Sequence, residues 1–133
     1  MITSSDIQTI LYKKSQLLGV KEVYKEGNIM SGNYSTERVV ILNNSAEPGT
    51  YWRLGFMNVN LCVPDLDRDF TANLTRLSEL ESLAYDVFRE TGKMNGLAYT
   101  YDVDSTRIEE DRAAHGHYVN VRILFEVLNV KHK

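Results

Sequence analysis

Residues 70–92 read FTANLTRLSELESLAYDVFRETG, and the pattern of this stretch admits one reading. Leu74, Leu77, Leu80, Ala84, Val87 and Phe88 recur at helical spacing and form one stripe, while Glu79, Ser82, Asp86, Arg89 and Glu90 lie opposite. The spacing predicts an amphipathic helix whose apolar side covers a sheet. Gly92 stands where a left-handed closing residue would end the helix, with Lys93 just beyond. Neither face carries a nucleophile beside a base or a cluster of ligands, so this helix predicts architecture and no reaction.

A chain of 133 residues with 43% hydrophobic residues has material for one core, which predicts a single domain spanning residues 1–133. A formal charge of −3 without a Lys/Arg cluster argues against sequence-specific nucleic-acid binding, because neutralising phosphates requires a basic patch. The lone cysteine, Cys62, excludes an internal disulfide and a cysteine-built metal site. Met1 to Asp6 lacks the charged start and apolar run of a secretory signal, and no window approaches a membrane span. The expectation is a soluble protein, cytoplasmic where it is made, with no membrane partner.

Before the main helix, Ser5 and Gln8 have capping-box spacing, and Ile7, Ile10, Leu11, Leu17 and Leu18 repeat at helical intervals until Gly19. Val20 to Tyr24 reads as a short edge strand. Residues 27–36 are rich in turn formers yet carry Ile29, Met30 and Tyr34, a loop with apolar cargo that folds back or reaches a partner. Glu37 to Asn43 holds Val39, Val40, Ile41 and Leu42 without alternation, as in a strand covered on both faces, and Pro48-Gly49 marks a turn.

The next strand changes phase. Trp52, Leu54 and Phe56 share one parity, whereas Met57, Val59, Leu61 and Val63 share the other. A flip near Gly55 implies a bulge, or a strand whose first half buries a different face and turns Trp52 away from the home core. Pro64 ends this strand, and Asp65, Asp67 and Asp69 put negative charge ahead of the helix. After it, Leu97 to Val103 and Val119 to Val127 alternate cleanly and predict two long antiparallel strands. The charged segment from Asp104 to His117, with Glu109, Glu110, Asp111 and Arg112, reads as a solvent projection. The fold class is α+β, an antiparallel or mixed sheet packed by two helices in the order α-β-β-β-α-β-β.

Chemistry-bearing residues are sparse. His115-x-His117 on a strand would point both imidazoles to one side, with Asp111 upstream, but a third nitrogen or sulfur donor is missing, so they read as polar occupants of an exposed loop. Cys62 has no assignable base to make it a nucleophile. Phosphate-binding glycine patterns are absent. The sequence therefore predicts no catalytic residues, no cofactor and no metal. Tyr99, Tyr101 and Phe125 are the candidate wall for a pocket between sheet and helix, the alternative reading of a small-molecule-binding domain, possibly an enzyme.

Taken in order, these elements resemble the tail terminator and related tail-completion proteins of long-tailed phages. The resemblance spans about Asp6 to Leu128 and is closest over Tyr51 to Val63 leading into Leu74 to Arg89, and over Gly116 to Val121. It implies a non-enzymatic virion protein, present in the host cytoplasm during assembly. Such a protein forms a ring, commonly sixfold, that meets the tail tube protein and the head-tail connector proteins. Met30, Tyr34 and Trp52, apolar outside a continuous core face, and the charged Glu109 and Glu110 are the interface candidates.

Overall fold

The computed structural model describes residues 1–26, 36–42 and 54–128. Helix α1, Ser4–Ser15, starts earlier than the Ser5–Gln8 spacing predicts. Thr3 is the N-cap: its hydroxyl accepts the Asp6 N–H at 3.2 Å, and its own N–H donates to Asp6 Oδ2 at 2.9 Å. This start places Ile2 just outside the helix and Ile7 one turn inside it, both fully buried, as a hydrophobic staple requires. Gln8 is released from capping and donates its Nε2 N–H to the Ile41 carbonyl at 3.0 Å. A single 3₁₀ turn, Gln16–Leu18, then leads to Gly19 at φ 77°, and by tightening the helix it turns Leu17 out into solvent.

Helix α2 occupies Leu74–Val87, shorter than the predicted 70–92. Upstream, Asp67 Oδ1 accepts the N–H groups of Asp69 and Thr71, a local turn that competes with helix. Asn73 then caps the helix by accepting the Arg76 N–H at 3.2 Å. Leu77, Leu80, Ala84 and Val87 are buried from α2, whereas Leu74 stays exposed.

Downstream, Glu90–Met94 is a strand, β4, where the sequence predicts the end of the helix. Glu90 accepts hydrogen bonds from the Tyr99 and Tyr101 hydroxyls at 3.1 and 3.3 Å, and the Tyr99 ring lies across Gly92 so closely that a Cβ there would meet its hydroxyl oxygen at 2.6 Å. Both residues thus face inward two positions apart, the period of a strand. Gly92 is therefore a site of close packing and not a helix stop.

The remaining strands are β1 Glu22–Lys25, β2 Arg38–Ile41, β3 Leu54–Pro64, β5 Leu97–Asp111 and β6 Gly116–Val127. With β4 they form one six-stranded sheet in the order β1-β2-β3-β6-β5-β4. The β1–β2 pair is parallel and the others are antiparallel, so the sheet is mixed and the chain runs α-β-β-β-α-β-β-β. Val39, Val40 and Ile41 of the apolar run are buried in β2, as predicted, together with Arg38, while Leu42 lies just past the strand and is partly buried. The helices cover one face, against which Val39, Ile41, Met57, Val59, Leu61, Val119, Val121, Ile123 and Phe125 form the core. Helix α1 reaches both ends of this sheet: Lys25 of β1 donates to the Thr9 hydroxyl at 2.9 Å, Lys14 bonds Glu90 of β4 at 3.3 Å, and Asn95 of the β4–β5 turn donates to the Met1 carbonyl just ahead of the helix at 3.0 Å. The sheet curls around it.

The phase change in β3 is resolved by register. β3 pairs residue for residue with β6 from Leu54↔Glu126 to Pro64↔Gly116, with no bulge. Leu54 and Phe56 consequently lie on the face away from the helices, the second of the two options. The irregularity of the sheet sits instead in β5, between Val103 and Ser105. The segment from Asp104 to His117 is likewise not a loose projection: β5 runs on to Asp111, and the turn that connects it to β6 is residues 112–115.

Candidate functional site

Met30, Tyr34 and Trp52 lie outside the described residues. Glu109 and Glu110 are placed in β5 and, as strand neighbours, point to opposite faces. Glu109, on the helix-free face, accepts from the Tyr118 hydroxyl at 2.7 Å and pairs with Arg107 at 2.7 Å. Glu110, on the helix side, pairs with Arg112 at 2.6 Å and approaches His117 Nε2 at 3.7 Å. The two carboxylates do not form one site.

The candidate surface is the face of the sheet that the helices leave open. Register puts Leu54, Phe56, Asn60, Cys62, Tyr118, Arg122 and Leu124 on it. Leu54 is 62% exposed, and the Arg122 guanidinium lies 3.6 Å above the Phe56 ring. That stacking keeps an aromatic surface in place without burying it in the core. Alongside runs a groove of about 480 Å³ lined by residues that include Arg38, Val40, Asn60, Cys62, Glu110 and Tyr118. Asn60 accepts from the Asn120 side chain at 2.8 Å across the strand pair. Burial pushes the Cys62 thiol up to about 11, against the pull of Arg38, so it stays protonated and is no nucleophile near neutrality. The Tyr118 phenol is pushed to about 12, first by its hydrogen bond to Glu109 and then by burial, and stays neutral too.

The aromatic wall expected of a small-molecule pocket is filled core. Tyr99, Tyr101 and Phe125 are all buried and stack on one another, with centroids 5.2, 5.5 and 6.1 Å apart. Burial, reinforced by the nearby Glu90 charge, pushes both phenols up, Tyr99 to about 12.

His115 is the exposed occupant of the turn before β6 that the sequence predicts, whereas His117 lies within β6 and is partly buried. His117 Nδ1 meets Asp65 Oδ1 at 2.6 Å, and the Asp65 side chain is only 1% exposed. His115, in the turn at φ 50°, stacks on Phe70, itself at φ 62°, with ring centroids 4.9 Å apart, and Arg112 lies 4.5 Å from the Phe70 ring. These contacts, with the Asp65 N–H on the His115 carbonyl at 2.9 Å, fasten the segment before α2 to the β5–β6 turn. The imidazoles thus engage different partners, and among the described residues no three metal-ligating side chains gather. Asp65 was hidden in the sequence because its partner is 52 positions away; aligning the apolar parities of β3 and β6 is the signal that brings the two segments together.

No family model matches the chain, and no curated protein matches it. A solved structure with 14% sequence identity superposes at a TM-score of 0.45, covering 95% of this chain and 93% of its own. Among the described residues no helix is long and apolar enough to cross a membrane.

Proposed function

We propose that the protein is a non-enzymatic virion component, a ring-forming subunit that caps or completes the tail tube of a long-tailed phage and joins it to the head-proximal machinery. The observation that carries this reading is the turn of Leu54 and Phe56, on an unbulged β3, onto the sheet face that the helices leave open. A subunit with neighbours in a ring needs apolar surface beyond its own core, and this face supplies it. Its partners are copies of itself, commonly six in such rings, together with the tail tube protein and the head-tail connector proteins. It works in the virion, after assembly in the host cytoplasm. The mildly acidic chain suits a lumen that lets DNA pass without holding it. The small-molecule alternative loses its support where Tyr99, Tyr101 and Phe125 pack against one another. Deleting the gene from its phage or prophage and imaging the particles in negative stain tests the reading: tails of uncontrolled length, or tails without heads, are expected, and normal virions would refute it.

A further inference from the structure

β5 outruns its neighbour. β4 pairs with it only from Leu97 to Tyr101, while β6 pairs with it as far as Asp111. Beyond Asp102 the other edge of β5 meets no strand among the described residues, so its outward backbone donors and acceptors have no ladder partner there. Such a row is completed by another strand. The irregularity at Asp104 breaks the edge, so the usable stretch is Ser105–Asp111.

We infer that this edge pairs with the same edge of a second copy, antiparallel, with Ile108 on the two-fold axis. The charge pattern selects this register. With Ile108 opposite Ile108, Arg107 of each copy faces Glu109 of the other, Ser105 faces Asp111 and Thr106 faces Glu110, so every charge meets an opposite or a neutral group. Sliding by a residue pair, which keeps the helix faces on one side, sets Arg107 against Arg107 or Glu109 against Glu109. Arg107 is 74% exposed and free to bridge both strands, since its present partner is Glu109 of its own strand. The apolar flank also fits: Ile108 is 36% exposed and Tyr85 43%, and Tyr85, whose hydroxyl is 3.4 Å from Thr106 Oγ1, overhangs this edge. The result is one sheet continuous through two molecules. The contact is isologous and therefore separate from the head-to-tail contacts of a ring.

Sedimentation of the full chain over a concentration series, with folding checked by circular dichroism, tests the pairing. A monomer–dimer equilibrium is expected, weakened about tenfold or more by either Arg107→Glu or Glu109→Arg and restored by the two together, because two cross-strand pairs turn from attractive to repulsive and back. Ile108→Cys in a Cys62→Ser background should form a covalent dimer under mild oxidation, since facing Cα atoms in antiparallel strands stand about 4.5–5.5 Å apart, within disulfide reach. A parent that stays monomeric at its solubility limit, an exchange that fails to rescue, or a folded Ile108→Cys variant that does not cross-link would each overturn the inference. Any of these leaves the tail-completion reading to be decided by particle images.

Discussion

Asp65, ahead of α2, and His117 of β6 meet at 2.6 Å and tie their two segments together. The carboxylate is almost wholly enclosed, with Oδ1 on the imidazole and Oδ2 without a hydrogen-bond partner among the described residues. Removing the imidazole strands a buried charge. His117→Ala should cost on the order of 1–3 kcal/mol in urea denaturation, and adding Asp65→Asn should recover part of that loss because the uncompensated carboxylate goes with it. A His117→Ala variant as stable as the parent would show that the contact does not hold in solution. Tyr99 carries a different dependence. Burial first, then the neighbouring Glu90 charge and hydrogen bond, raises its phenol from 10.0 to about 12, so the unfolded chain releases this proton before the folded one does. The group's contribution to stability is therefore complete below pH 10 and is lost as pH rises toward 12. Tyr99→Phe should flatten the fall in stability across that window, measured against the parent; an unchanged slope would contradict the assignment.

At the scale of elements, most of the fold was legible because periodicity reports burial directly. The stripe from Leu77 to Val87 marked α2, the unbroken run Val39 to Ile41 marked a strand buried on both sides, and the alternations after Leu97 and Val119 marked the long pair. Leu80→Ala should cost about 2–5 kcal/mol, since it empties a buried site, while the exposed Glu79→Ala should stay within about 0.5 kcal/mol. Equal denaturation midpoints would remove α2 as the cover of the sheet. The ends of elements were less legible. The start of β4 looks like the tail of a helix in the sequence because Glu90 and Gly92 acquire their meaning only from Tyr99 and Tyr101, which lie across a hairpin. The reach of β5 to Asp111 was masked by its charges, which on an edge strand mark an exposed border as readily as a loop.

For the whole molecule, the sequence carried the phase change at Gly55 but not its cause, because a bulge and a change of face leave the same parity trace. Pairing with β6 distinguishes them and puts Leu54 and Phe56 on the open face. The histidine tie was illegible for a related reason: contacts across long separations are set by register, which a linear pattern does not state. We propose that this open face closes a ring on a tail tube. The most direct test of this proposal is negative-stain imaging of tails from a phage carrying Leu54→Asp, a change at an exposed site that should leave the fold intact. A stably folded protein, tails of irregular length with uncapped ends, and few joined heads are expected. Tails of normal length joined to heads, with Leu54→Asp stably folded and incorporated, would contradict the proposal.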